Sequence, residues 1–264
     1  MTFLTSIESI MTKNVVAARS NAPVTEIITL MVKFNLGTVP IVDSKNIPVG
    51  IITDGDVVRE AAVGKGISPL LNTGDIISAS FIAMNPETPV TDAAREMLSK
   101  RARIIITNKK SGALEGIATT TDFLRVFSNT LQDKPLTSFF TPNVKTLDIH
   151  SSLKEAIELM FNKKLGSVIL TTDDMPSAIV TERSLLRPLE NKKMNLNSIS
   201  LEEVATKPLI TAAFGVTVKE AASIMLEKGI KRLPLTKGEK LVGITTALDL
   251  VGAFLSKVEI RVTR

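Results

Sequence analysis

A mixed α/β fold made of four tandem copies of one strand-helix-strand-strand-helix unit is predicted by two landmarks and a local pattern. A Gly-apolar-x-Thr-x-x-Asp turn recurs as Gly50 to Asp56, Gly116 to Asp122 and Gly243 to Asp249, with an altered copy from Ala178 to Ser184. Its threonines, Thr53, Thr119, Thr181 and Thr246, are spaced by 66, 62 and 65 residues. The methionines Met31, Met97, Met160 and Met225 keep step at 66, 63 and 65. Self-similarity at a fixed period is the signature of a repeat architecture. Within each copy, hydrophobic spacing switches from helical to strand-like in the same order.

In the first copy Val15 to Ala17 is β-prone. Thr25 to Phe34 carries apolar residues at Ile27, Ile28, Leu30, Met31 and Phe34, which is helical spacing ended by Gly37. Val39 to Val42 and Val49 to Ile52 read as strands around a turn at Asp43 to Asn46, and Asp54 to Ala62 reads as a second helix. The second copy repeats this with Phe81 to Ala83, a helix from Thr91 to Lys100, strands at Arg103 to Thr107 and Leu114 to Thr119, and a helix from Thr121 to Phe127. In the third, Ser152 and Glu155 form a capping-box pattern ahead of Ala156, Ile157, Leu159, Met160 and Phe161; the fourth repeats it from Thr217 to Lys228. The methionines are core positions.

Units of this length are too small to be comfortable alone, so the expectation is two pseudo-symmetric pairs: 1–130, comprising modules 1–66 and 67–130, and 131–264, comprising modules 131–194 and 195–264. The polar break from Ser128 to Pro135 sets the boundary. Adjacent units are expected to pack sheet to sheet and leave a cleft between them.

Composition excludes several function classes. The chain has no cysteine and one histidine, His150, expected in a surface or loop position, so neither a zinc cluster nor a Cys/His couple can be assembled. No nucleophile motif accompanies His150, and the expectation is a protein that is not an enzyme. No apolar stretch approaches the ~18 residues of a membrane helix. The first residues lack a secretory pattern, so a cytoplasmic location is expected. The net charge of +5 is scattered, and the absence of Trp and Tyr removes most stacking platforms. Nucleic acid is therefore a minor alternative, as is a structural dimerisation scaffold without ligand.

The repeated turn admits two readings. Thr53 to Asp56 is itself a capping box, and a cap explains any single copy. The in-strand glycines Gly50, Gly116 and Gly243 add a second signal, because glycine there marks close approach by another backbone or by a ligand. A nucleotide suits the combination: access at the glycine, helix amides toward phosphate, and a carboxylate to accept from two ribose hydroxyls.

These residues resemble the cystathionine-β-synthase (CBS) domain family, whose modules pair into Bateman domains. The resemblance rests on the turn, on Pro23-Val24-Thr25-Glu26 and Pro89-Val90-Thr91-Asp92 ahead of a helix, on Thr38-Val39-Pro40-Ile41-Val42-Asp43, and on Lys231-Arg232-Leu233-Pro234-Leu235. The four-module arrangement is similar to the γ subunit of AMP-activated protein kinase. It implies an adenosine-containing ligand such as AMP, ADP or ATP, with Mg²⁺ as a possible companion of a polyphosphate, no other cofactor or metal, and an unidentified regulated protein or a homodimer as partner.

Carried over by position, the resemblance puts the ribose-binding carboxylate on Asp56, Asp122 and Asp249, and the phosphate-facing hydroxyl on Thr53, Thr119 and Thr246. It puts phosphate-facing guanidinium groups on Arg103 and Arg232, where the other units carry Thr38 and Ser167. An ordinary strand-edge charge is the alternative for both arginines. The adenine environment falls on Val16, Ile82 and Ile210, which simple packing also explains. Ala178, Thr181 and Ser184 make the third site degenerate. Arg59 and Arg125, three residues after their aspartates, read as i,i+3 ion pairs.

Overall fold

The computed structural model describes residues 5–64, 66–78, 80–131, 133–190 and 196–262. The first module runs β1 (Ala18–Arg19), α1 (Val24–Lys33), β2 (Thr38–Val42), β3 (Pro48–Thr53) and α2 (Asp54–Gly64). After a short helix α3 (Thr73–Ile76), the second follows as β4 (Phe81–Met84), α4 (Val90–Lys100), β5 (Arg103–Thr107), β6 (Leu114–Ala118) and α5 (Thr120–Phe127). A short strand β7 (Thr141–Pro142) precedes the third module, β8 (Thr146–Asp148), α6 (Leu153–Lys163), β9 (Ser167–Thr172), β10 (Met175–Thr181) and α7 (Glu182–Glu190). After a short helix α8 (Leu201–Val204), the fourth consists of β11 (Ala212–Ala213), α9 (Val218–Lys228), β12 (Arg232–Lys237), β13 (Lys240–Thr246) and α10 (Ala247–Val262).

Each module has its own sheet, in which the first strand pairs parallel to the second and the second antiparallel to the third. The parallel pair is joined by the crossover helix, as such pairs require. The antiparallel pair closes by a short hairpin. In the first, the Asp43 carboxylate accepts the amides of Lys45 and Ile47 while Asn46 takes φ 62°. That is the local reason an Asp and an Asn occupy this turn. Helices α6 and α9 open on side-chain caps: Ser152 Oγ accepts from the Glu155 amide and Thr217 Oγ1 from the Glu220 amide. The expected capping boxes are present. Helices α1 and α4 open instead on Pro23 and Pro89, whose extended backbone sets the turn without a side-chain bond.

The first strand departs from expectation. Val15 to Ala17 lies ahead of β1, because only Ala18 and Arg19 reach the ladder, opposite Ile41 and Val42. The expected module break at 194/195 lies outside the described residues.

The chain forms two compact units that do not follow chain order. Unit 1 contains 1–15, 80–144 and 210–264, thus the second and fourth modules; unit 2 contains 16–79 and 145–209, the first and third. In each the helices of two modules pack together, α4 and α5 with α9 and α10 in unit 1, and α1 and α2 with α6 and α7 in unit 2. Apolar helix faces supply the driving force for this burial. Unit 1 centres on Phe123, Phe127 and Phe254, with Phe127 stacked on Phe254 at 3.6 Å between ring centroids. The equivalent positions in unit 2 are Ala61 and Leu189, both buried, in an aliphatic core with Ile27, Ile28, Met31, Ile157 and Met160.

Candidate functional site

At each intact turn the third strand hands directly into a helix, and the aspartate folds back on the threonine. Asp56 Oδ2 accepts from the Thr53 amide at 2.8 Å and from its hydroxyl at 2.7 Å. Asp122 Oδ2 does the same with Thr119 at 2.9 and 2.8 Å, and Asp249 Oδ2 with Thr246 at 2.8 and 2.7 Å. The threonine hydroxyl's single proton therefore goes to the carboxylate, while its oxygen accepts the amide of Asp56 at 3.2 Å and of Asp249 at 3.3 Å. This is the capping box, and it accounts for both residue types without a ligand.

The second carboxylate oxygen distinguishes the copies. Asp56 Oδ1 accepts from Arg59 Nη1 at 2.8 Å and Asp122 Oδ1 from Arg125 Nη1 at 3.3 Å. Both aspartates are buried, at 9% and 8% exposure, while both arginines lie mostly in solvent. These are the expected i,i+3 ion pairs. Asp249 is followed three residues on by Gly252. A carboxylate has about four lone-pair sites, so all three can accept further bonds.

The in-strand glycines have a protein explanation, which corrects the expectation of ligand access. A Cβ at Gly50 would collide with the Ile77 side chain and come within 2.9 Å of the Ser78 carbonyl oxygen. One at Gly116 would collide with Met11, and one at Gly243 with Phe140 and, at 3.1 Å, the Thr141 carbonyl oxygen. Backbone bridges run beside these contacts, Ile51 with Ser78, Thr12 with Ile117, and β7 with β13. In the third module Ile179 pairs with Thr206 next to buried Ala178. Each third strand is thus crossed by the segment that leads into another module. Sequence reasoning missed these segments, although Met11, Ile77, Phe140 and Thr206 share the repeat spacing at 66, 63 and 66.

The residue at the start of each second strand lies across the sheet from the turn threonine. Thr38 pairs with Thr53, Ser167 with Thr181, and Arg232 with Thr246; Ile104 opposite Ala118 puts Arg103 one step toward Thr119. Arg103 and Arg232 therefore lie in register with their turns. Val16, Ile82 and Ile210 are half-buried, Ile82 within β4 and the other two just ahead of β1 and β11. His150 is exposed, with Nδ1 3.8 Å from Glu202 Oε2.

The third turn keeps the cap without the charge. Ser184 Oγ accepts from the Thr181 amide at 2.9 Å and donates to its carbonyl at 2.9 Å. Its neighbours reach into the first module instead. Arg183 donates to Asn35 Oδ1 at 3.1 Å and lies 4.0 Å from Asp54 Oδ2, and a Cβ at Gly37 would overlap its guanidinium. Glu182 lies against Gly55.

Comparison with known proteins bears directly on these turns. A relative in Methanocaldococcus jannaschii, the uncharacterised protein MJ1404, is 27% identical over 264 residues, covering 93% of this chain and 61% of its own length. The chain thus spans about three fifths of that relative. The crystal structure of MJ1225 from the same organism, put forward in its description as an archaeal homolog of γ-AMPK, superposes with a TM-score of 0.84 at 19% identity, over 95% of this chain and all of that one. A conserved protein of Pyrococcus horikoshii gives 0.65 at 22% identity over 95% of this chain and all of its own. Both show the fold. The CBS domain profile matches four times, at 7–63, 74–129, 136–191 and 201–256, each span taking in one of the four turns. The chain belongs to the CBS domain family.

Proposed function

We propose that the protein is a non-catalytic regulatory sensor that binds adenine nucleotides at the turns of its modules and relays their presence to a protein partner. The observation that carries the reading is the turn itself: three fixed carboxylates, each with lone pairs to offer beside a helix N-terminus, and a fourth turn that has lost its charge. Met11 and Thr12 precede the first module yet cover β6 of the second, while Ile77 and Ser78 precede the second yet cover β3 of the first. Phe140 and Thr206 relate the third and fourth modules in the same way.

In this reading Asp56, Asp122 and Asp249 accept the ribose hydroxyls. Thr53, Thr119 and Thr246 turn their protons from the carboxylate to the ligand, which frees an acceptor site for the sugar as the tail is gripped. Arg103 and Arg232 provide forked donors for phosphate, and Val16, Ile82 and Ile210 flank the base. Ligand preference for one arrangement of the modules then shifts their equilibrium.

The test is calorimetric titration of nucleotide-stripped protein with adenosine, AMP and ATP. Asp56→Ala, Asp122→Ala and Asp249→Ala are each expected to weaken one adenosine site by roughly 10- to 100-fold, the value of hydrogen bonds to a charged acceptor. Adenosine binding unchanged in all three variants would overturn the ribose assignment.

A further inference from the structure

The four turns differ in charge, and the difference divides along the two units. In the first, third and fourth modules the residue after the turn threonine donates its amide to the carbonyl just ahead of the second strand: Asp54 to Gly37 at 3.3 Å, Glu182 to Gly166 at 3.2 Å and Ala247 to Lys231 at 2.9 Å. The helix start and the strand start therefore face each other. In unit 2 these positions are Asp54 against Gly37-Thr38, and Glu182 against Gly166-Ser167. In unit 1 they are Thr120 with Ala102-Arg103, and Ala247 with Lys231-Arg232. Unit 2 has a carboxylate at the helix start and a hydroxyl at the strand start, whereas unit 1 has an uncharged residue at the helix start and a guanidinium at the strand start.

The acid of the first module is held there. Asp54 Oδ2 would lie 3.1 Å from a Cβ on Gly37, one residue from the position that Arg103 and Arg232 fill in unit 1. Arg183, the cation nearest to it, is committed to Asn35 and to Asp54 itself. Glu182 adds a second acid against Gly55. A phosphate brought to this turn meets like charge at close range, whereas at the turns of unit 1 it meets a forked donor.

We infer that the two units sort ligands by the charge of the 5′ substituent. The second and fourth modules take phosphate-bearing nucleotides, and the first takes adenosine compounds that carry no phosphate, with a neutral or sulfonium group beside Asp54. This rests on the ribose reading proposed above and adds a ligand class to each site.

Calorimetry with AMP, adenosine and S-adenosylmethionine as probes tests it. AMP binding is expected to fall about 10-fold in Arg103→Gln and in Arg232→Gln with adenosine unchanged, the size of a lost charge-assisted bond. Asp56→Ala is expected to remove S-adenosylmethionine binding and spare AMP. Asp54→Asn, which keeps the side chain's shape, is expected to raise AMP affinity of the first module about 10-fold. The sorting is overturned if the ratio of AMP to adenosine affinity is the same in wild type, Arg103→Gln and Arg232→Gln, or if AMP binding is lost in Asp56→Ala and kept in Asp122→Ala and Asp249→Ala. Equal binding of all three probes at every site overturns the sorting and leaves the ribose reading standing; no binding of any probe overturns both.

Discussion

Units 1 and 2 are two solutions to one packing problem. Each joins two modules through their helices, and each buries a cluster of similar extent. Unit 1 fills the helix interface with stacked rings, Phe127 on Phe254, where unit 2 has Ala61 and Leu189. Unit 2 adds polar pins that the fold does not require, Arg183 to Asn35 and Thr29 to Glu190 at 2.7 Å. The same backbone thus tolerates an aromatic or a smaller aliphatic filling at identical repeat positions. Polar contacts accumulate in the unit whose third turn has lost its aspartate.

The largest effect should come from the rings. Phe127→Ala removes a fully buried side chain and its stacking partner's contact, and is expected to cost about 3–5 kcal/mol, against a value near ~2 kcal/mol for Leu189→Ala. Denaturant melts of the two variants measure the difference. Equal costs would mean that the aromatic filling adds nothing beyond aliphatic packing, and the contrast between the cores would be one of composition alone.

The glycines sharpen the comparison at intermediate size. Gly50 in unit 2 is hemmed by the Ser78 carbonyl oxygen as well as by Ile77, and backbone cannot step aside. At Gly116 in unit 1 the nearest atoms belong to the Met11 side chain, from Sδ back to Cβ at 3.2 Å. Gly50→Ala should therefore destabilise by about 1–3 kcal/mol, the range for overpacking, and Gly116→Ala by less than about 1 kcal/mol. Thermal melts of the pair decide this. An equal loss at Gly116 would show that Met11 is held as rigidly as backbone.

Those glycines also mark where sequence reading stopped. Their spacing was legible, and so was the demand for close approach, but a ligand and a crossing chain ask for the same missing side chain. The segments that do cross, Met11-Thr12, Ile77-Ser78 and Phe140 to Pro142, are too short to show a hydrophobic period. Only their common spacing betrayed them. Helices, hairpins and caps were readable because each is fixed by residues within a few positions, such as Ser152 with Glu155. The association of the first module with the third was not, since an amphipathic helix advertises a buried face without naming what covers it. Likewise no local pattern ties Arg183 to Asn35 and Asp54, far away in sequence, which the fold brings beside it.

The smallest effect should be common to both units, which makes it the control. Glu155 in unit 2 and Glu220 in unit 1 are held below the usual carboxylate value, first by the backbone amide of their cap residue and then by its hydroxyl. A carboxyl whose folded pKa is depressed contributes stability above its unfolded value, here 4.5, and loses it as pH falls below that toward the folded value. Amide-exchange protection at the first turns of α6 and α9, taken relative to the intrinsic rate at each pH, should therefore fall in step below about pH 4.5. The first turns of α1 and α4 open on Pro23 and Pro89 with no such carboxylate bond, and should not follow. Glu155→Gln and Glu220→Gln keep the capping geometry without the titration, so each should flatten the response of its own helix. If α6 and α9 loosen at different pH, the caps are not equivalent modules of the repeat. The contrast between the units would then extend to their helix starts as well as their cores.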